Sequence, residues 1–224
     1  MLAYYLLELA RPRSGFLLLM HTEASVPRGF TLLCQSLGTK LVNAAEPLLT
    51  AALLRDTMRE ELERVAAEAR RDPVTGLANR LAWNEKLSTI MPSVEVPMSI
   101  IQCDCRGLKQ INDTHGHLVG DELLQRVAGV LTSSVRAHDL VARIGGDEFA
   151  IFVDGDEDMS QVIVERIEAA LATDRAVGQP AIQLAIGTST TRDGNLGAAQ
   201  GRADAQMLEA KRLLRGVSSR RMSA

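Results

Sequence analysis

The sequence predicts an α/β domain, a mixed sheet with helices packed around it, preceded by a β-hairpin and a long connecting helix. Three patterns carry that expectation. After residue 71, strand-length apolar runs alternate with helical stripes. Two of those runs, 140–144 and 149–153, are joined by Gly145, Gly146, Asp147 and Glu148, which reads as strand, tight turn, strand. Before residue 71, two short apolar segments lead into a long stretch of helical spacing.

Residues 1–22 alternate apolar segments around the turn-like RPRSG, a hairpin that on its own is marginal and needs a sheet to join. Residues 30–70 are helical. Leu32, Leu33, Leu37, Leu41 and Val42 lead, and Pro47 is expected to interrupt or kink the run. Met58, Leu62, Val65 and Ala69 then recur at spacings of four and three among charges, which fits a coiled coil and equally a helix packing on its own domain. Residues 71–80, RDPVTGLANR, form a hinge, because Asp72-Pro73 starts a turn and disfavours helix before it. A short helix (81–90), a loop and a buried strand (98–103) follow. Leu123, Leu124, Val127, Val130 and Leu131 mark a helix over 119–135. Past the hairpin come a helix (159–172), a strand (183–188) and a last helix (201–215). The expected division is 1–70, 71–216 and a disordered tail, 217–224.

A chain of 224 residues allows one or two domains with a sizeable core. Its net charge of -3 gives no basic footprint, so a nucleic-acid polymer is disfavoured as partner. Cys34, Cys103 and Cys105 make no disulfide framework and suit a reducing cytoplasm. Cys103 and Cys105 share one strand face and lack the second pair of a zinc site, so buried thiols are expected. No apolar run approaches the roughly 18 residues of a membrane span, and the start lacks a signal-peptide pattern.

The chemistry-bearing residues each have a plain structural alternative. Asp147 and Glu148 at a hairpin tip suit a hard cation and a phosphate ester, or a solvated turn. Gly145 and Gly146 supply a backbone that can take positive φ and let a bulky ligand approach closely. Asp104 ends a buried strand, a place for ligand-binding groups in open α/β sheets, or it caps the next helix. Lys109 falls in a glycine-containing loop whose backbone N–H groups could meet phosphate. Asn112 and Asp121 bracket a glycine-rich turn. Together an amide and a carboxylate satisfy a guanine edge, whereas singly they are common turn residues. His115 and His117 lack a third metal ligand at motif spacing, and loop packing is preferred. Lys211 and Arg215 share a helix face, holding an anion or merely solvated. Arg136 and Asp139 can engage guanine from two sides, or form an ordinary helix-end ion pair.

The succession D-P-V-T-G-L-A-N-R, D-x-x-x-x-K-x-I-N-D-T-x-G-H-x-x-G-D, R-x-x-D-x-x-x-R-I-G-G-D-E-F and A-D…A-K…R resembles the GGDEF family of diguanylate cyclases over residues 71–216. The resemblance implies the palm-like fold related to nucleotidyl cyclases and condensation of two GTP into cyclic di-GMP with release of two pyrophosphates. It implies that Asp104 and Glu148 bind Mg²⁺ (Mn²⁺ being the alternative), helped by the Cys105 carbonyl. Asp147 would assist with metal or deprotonate the attacking hydroxyl, with Gly145 and Gly146 letting the nucleotide lie against the hairpin. Asn112 and Asp121 would read guanine. Lys109, Lys211 and Arg215 would hold the β- and γ-phosphates, with amides near Gly107 and Leu108, and Arg136 with Asp139 matches an inhibitory product site. One domain presents one GTP and the product is two-fold symmetric, so a homodimer is implied, with the helix over 50–70 as the device that brings two copies together. The hairpin and long helix look like the tail end of a GAF sensor domain.

Four positions depart from the family pattern. Arg106 stands where a second Asp is usual, Leu108 replaces Phe, Leu208 replaces Tyr and Leu214 replaces Gly. A guanidinium two residues from Asp104 could pair with it and compete with Mg²⁺. Two readings therefore remain: an active, product-inhibited cyclase, and a catalytically weak GGDEF domain acting as a GTP or cyclic di-GMP receptor.

Overall fold

In its first unit the chain forms the hairpin and helix that its apolar spacing predicts. Strands β1 (Ala3–Leu9) and β2 (Gly15–His21) pair antiparallel, with Leu6 opposite Leu18. Helix α1 (Leu32–Glu68) follows. The structure is a computed structural model that describes residues 3–9, 15–21, 32–90, 96–174 and 181–221, and it divides into two units, 1–67 and 68–224. Pro47 lies inside α1 without interrupting it. The residues around it are good helix formers, and Asn43, whose carbonyl loses its N–H partner, is exposed, so water can replace the lost bond. Along α1, Leu41, Leu48, Met58, Leu62 and Val65 are exposed within the chain, Leu48 to 74% and Leu62 to 70%.

The second unit opens with a tightly closed turn where the sequence suggests a hinge. The Asp72 carboxylate accepts hydrogen bonds from the Thr75 backbone N–H (2.8 Å) and hydroxyl (2.7 Å), and Gly76 takes a left-handed φ of 71°. Burial raises the Asp72 pKa, but the two Thr75 hydrogen bonds and the Arg143 guanidinium outweigh it and hold the carboxyl below its ordinary value. Asn79 closes the other side. Its backbone N–H donates to the Arg70 carbonyl (2.9 Å), its Nδ2 to that of Ala69 (2.7 Å), and its Oδ1 caps α2 (Arg80–Thr89) through the Ala82 N–H.

The sheet is built around β3 (Met98–Cys105), buried along its whole length. A glycine with φ of 79°, Gly107, turns the chain out of β3 into α3 (Leu108–His115), where the sequence reading has a loop. Leu108 and Ile111, at helical spacing, fasten that short helix to the core. Gly116, φ 85°, ends α3 and begins α4 (His117–Ser134). Next come β4 (Leu140–Arg143), β5 (Glu148–Val153), α5 (Glu157–Thr173), β6 (Leu184–Thr191) and α6 (Leu196–Arg221). The helix α6 continues to Arg221, into the stretch read as a disordered tail; residues 222–224 lie outside the described residues.

Strand order is β4-β5-β3-β6, and every ladder is antiparallel. The parallel contribution to this α/β sheet is the isolated bridge between Ala78 and Ala142, among the described residues. Strand periodicity sorts the core into two layers. Ile101, Cys103 and Cys105 face α4 and α5 through Leu123, Val127, Leu131, Ile163 and Ile167. Met98 and Ile100 face Trp83 of α2 and Leu196, Ala199 and Ala203 of α6. The two thiols thus share one buried face as expected, and burial pushes Cys103 up to about 12. No helix among the described residues is long and apolar enough to cross a membrane.

The approach of α6 to β6 depends on Gly187. A methyl there would lie 2.1 Å from the Ala203 carbonyl oxygen and 2.4 Å from the Met207 nitrogen. Gly187→Ala should therefore cost about 1–3 kcal/mol, the usual penalty of overpacking, read as a lower urea midpoint; an unchanged midpoint would contradict this packing.

Candidate active site

The geometry starts at Asp104. It is the next-to-last residue of β3, 1% exposed, and directly opposite Glu148, the first residue of β5. Opposed cross-strand residues project from the same face, so two carboxylates meet at the end of the sheet. One Asp104 oxygen, Oδ2, accepts from the Lys211 ammonium of α6. The other, Oδ1, is buried without a partner among the described residues. A buried anionic oxygen left unpaired is costly unless a cation or donor completes it.

Asp147 is the last residue of the hairpin turn. Its carbonyl accepts from the Cys105 N–H at 2.7 Å, while its side chain reaches the space in front of the turn. That space is a cleft in two continuous parts. The first, about 200 Å³, is lined by Asp104, Cys105, Arg106, Gly107, Leu108, Lys109, Asp147 and Lys211. The second, about 280 Å³, shares Leu108, Lys109 and Asp147 and runs on to Asn112, His117 and Gly146. Asp104 and Lys211 thus lie at one end and the Asn112 amide at the other, with Lys109 and Asp147 common to both. Burial pushes the Cys105 thiol up to about 12, and the charges of Asp104 and Asp147 add to the rise. The thiol stays protonated, and what Cys105 can offer a cation is its carbonyl.

At the amide end, Asn112 Oδ1 is buried and unpartnered among the described residues. It can lie there because Gly120, one turn into α4, has no Cβ; a methyl at Gly120 would fall 1.8 Å from Asn112 Oδ1. Asp121 follows on α4, half-buried, but does not line the cleft. Asn112 and Asp121 therefore sit on successive helices, on either side of the break at Gly116.

Other expectations need adjustment. Neither Gly145 nor Gly146 has positive φ. At Gly145 the missing Cβ leaves room instead: a Cβ there would lie 2.7 Å from Glu148 Oε2 and 3.2 Å from its Cβ, so the Glu148 side chain would have to shift, while a Cβ at Gly146 would meet open space. Lys109 stands in the first turn of α3, exposed, and Leu108 is a core residue rather than a loop residue. Among the described residues no ion pair joins Arg106 to Asp104. The cation on Asp104 is Lys211, and the Arg106 N–H donates to the Gln183 carbonyl at 2.9 Å. The side chain of Arg215 lies outside the described residues.

Arg136 and Asp139 lie at the far end of β4 from the cleft. The expected side-chain ion pair is replaced by a turn: Asp139 Oδ2 accepts from the Arg136 backbone N–H (2.9 Å) and Oδ1 from that of Asp154 (3.4 Å), leaving the Arg136 side chain exposed. His115 and His117 join no cluster of metal-ligating side chains among the described residues. The sequence reading also missed Arg143, whose guanidinium pairs with Asp72 across 71 residues of chain; its place just before the glycine pair was the available signal.

The family described as "Diguanylate cyclase, GGDEF domain" matches residues 69–216. The chain belongs to the GGDEF family. As a GGDEF protein it is 31% identical to diguanylate cyclase DgcS of Shewanella oneidensis over 147 residues, 64% of this chain and 49% of that one. It is 46% identical to an uncharacterized protein from the hutH 5′ region of Streptomyces griseus over 101 residues, 43% of this chain and 42% of that one. The chain thus spans less than half the length of these curated relatives. The coiled coil and GGDEF domain of DgcB from Caulobacter crescentus, in complex with c-di-GMP, superimposes with a TM-score of 0.64 at 27% identity, covering 79% of this chain and 95% of that one. Diguanylate cyclase SiaD of Pseudomonas aeruginosa, solved with its activator SiaC, gives 0.59 at 26% identity, covering 80% and 72%. The GGDEF match begins at residue 69, and nothing in these similarities supports the GAF-type reading of the hairpin and helix before it. Family membership assigns the domain to cyclic di-GMP signalling, with GTP and cyclic di-GMP as the ligands it implies.

Gly120→Ala tests the amide end. The added methyl displaces the Asn112 amide, so GTP affinity by calorimetry should fall at least about tenfold, the scale of one lost good hydrogen-bonding pair. Unchanged affinity would remove Asn112 from the binding site.

Proposed function

We propose that the GGDEF domain of this chain is an active diguanylate cyclase, condensing two GTP into cyclic di-GMP and two pyrophosphates. The observation that carries the reading is the buried, unpartnered Oδ1 of Asp104 opposite Glu148, at the head of a cleft whose other end holds the unpartnered Oδ1 of Asn112. The Asp104 carboxylate with its free Oδ1, the Glu148 carboxylate and the Cys105 carbonyl make a hard oxygen donor set that fits Mg²⁺ or Mn²⁺. When bound, such an ion would supply charge neutralisation on the triphosphate and lower the pKa of the attacking hydroxyl.

The chain's own residues do the rest. Asn112 and Asp121 hold the guanine edge. Lys109, Lys211 and Arg215, with amides at Gly107 and Leu108, balance the β- and γ-phosphates. Asp147, common to both parts of the cleft, takes the proton of the 3′-hydroxyl as its oxygen attacks the α-phosphorus of the second GTP. The bond to pyrophosphate breaks as the new ester forms, and a second such step closes the ring. Each domain offers one GTP, so two copies work face to face. The apolar positions exposed on α1, from Leu41 to Val65, are the surface that brings them together as a coiled coil. With GTP as substrate, the domain works in the cytoplasm. Arg136 and Asp139, beyond β4, form a separate product site that slows turnover.

A second reading has a specific observation behind it. Lys211 already occupies half of the Asp104 carboxylate, and Arg106 lines the same cleft, which favours a weakly catalytic receptor for GTP or cyclic di-GMP. Incubation of the chain with GTP and Mg²⁺, followed by anion-exchange chromatography, separates the two. The cyclase yields cyclic di-GMP and pyrophosphate in a ratio of about 1:2, and Asp104→Asn lowers the rate at least about 100-fold. A dimeric preparation that makes no cyclic di-GMP yet binds it tightly identifies the receptor. For the product site, Arg136→Ala should relieve inhibition by added cyclic di-GMP and leave the initial rate within about twofold; inhibition that persists in this variant would refute the assignment.

A further inference from the structure

We propose that Arg143 is a positioning residue for the catalytic turn, and that it sets Asp147 and Glu148 according to the closed turn over residues 71–79. The inference rests on the cyclase reading of those two carboxylates. On one side, Arg143 Nη2 and Nε donate to the Gly146 carbonyl at 2.7 and 3.3 Å. On the other, Nη1 donates to Asp72, 3.1 and 3.2 Å from its two oxygens. The backbone follows the same route, because the Arg143 N–H donates to the Ala78 carbonyl at 2.8 Å.

The consequence for the site is geometric. A held Gly146 carbonyl fixes the peptide plane before Asp147. The bond from the Cys105 N–H to the Asp147 carbonyl, 2.7 Å, fixes the plane after it. The direction of the Asp147 side chain is determined between those two planes. The Glu148 carbonyl is held in turn by the Ile144 and Gly145 N–H groups at 2.9 and 3.3 Å. A Cβ at Gly146 would meet nothing within 4 Å, so the residue is held at its carbonyl, by the Arg143 guanidinium.

At its far end the device is equally defined. Thr75 orients Asp72 with two hydrogen bonds, and Asn79 and Arg71 tie the same turn to the carbonyls of Glu68, Ala69 and Arg70. A rotation of the chain at residues 68–71 therefore reaches β4 through the Ala78 backbone and the Gly146 carbonyl of the catalytic turn through the Arg143 guanidinium. Only a planar fork spans both partners; the point charge of a lysine reaches one. The Arg143 and Asp72 side chains are 12% and 15% exposed, so the contact between them is largely shielded from water.

The test uses the full chain carrying Asp72→Asn, Arg143→Lys, Arg143→Gln, or Asp72→Asn with Arg143→Gln. With GTP and Mg²⁺, kcat should fall about 10- to 100-fold in each single variant, the cost of misplacing a catalytic group by about an ångström, while KM for GTP moves less than about threefold. The double variant should be no slower than the worse single one, because one path is cut once. A kcat within twofold of wild type for Asp72→Asn, or losses that multiply in the double variant, would overturn the proposal. Amide hydrogen exchange provides a readout independent of turnover. In Asp72→Asn and Arg143→Lys, the amides over 144–149 should exchange several-fold faster while those of α5 stay unchanged. Unchanged exchange over 144–149 would overturn the latch even in an active cyclase. Faster exchange in a chain that makes no cyclic di-GMP would leave the latch standing and sink the cyclase reading alone.

Discussion

A carboxylate that is 1% exposed has to be completed by positive charge, and Asp104 is completed only in part. Lys211 reaches one oxygen from α6, and no described group reaches the other. Much of the second unit is arranged around that half-satisfied anion. It lies on β3, one of the two strands paired on both sides; β5 carries Glu148 to the position opposite, β6 brings up α6, and α6 brings up Lys211. The close approach of α6 at Gly187 is part of the same chain of cause, since the helix must lie near the sheet for a lysine stem to reach Asp104.

The same face-by-face logic separates the core from the chemistry. Residues of one parity on β3 bury thiols and aliphatics against α4 and α5. Those of the other parity pass from Met98 and Ile100 through Gln102 to Asp104, so an apolar layer runs out into a charged end. Glycines then serve by what they leave out. Gly107 and Gly116 bend the chain into and out of α3 with positive φ, Gly120 makes room for Asn112, and Gly145 makes room for Glu148. Gly120 could not be told from an ordinary turn glycine by spacing alone, because the atom it avoids, Asn112 Oδ1, comes from the preceding helix.

Element type and order were legible, because each followed from a period: the stripe of Leu123, Leu124, Val127 and Leu131, the apolar runs on either side of Gly145, the recurrence of Met58, Leu62 and Val65. Boundaries were less so. The continuity of α1 through Pro47 and the one-helix extent of 108–115 went unread, since an exposed proline is tolerated where flanking propensity is high, and a short helix presents little period. Among candidate residues, Asp104, Lys109, Asn112, Asp147 and Lys211 come together in one cleft, whereas Arg136 and Asp139 are set apart from it by the length of β4. The concern that Arg106 would neutralise Asp104 arose from closeness in sequence. Residues two apart share a face only while the strand continues, and β3 ends at Cys105; Arg106 makes no ion pair with Asp104 among the described residues, yet it still lines the same cleft.

By itself, then, the sequence determined the family, the order of elements and the residue types available for chemistry, because motif spacing and hydrophobic period are properties of the chain read locally. Only the tertiary structure decided which charges meet. Lys211 on Asp104, Arg143 between Asp72 and Gly146, and Asn112 against Gly120 join residues that lie 107, 71 and eight positions apart or pack across two helices. Such pairings are set by how the helices and strands dock, and docking depends on packed volume and close approach, which no local pattern encodes.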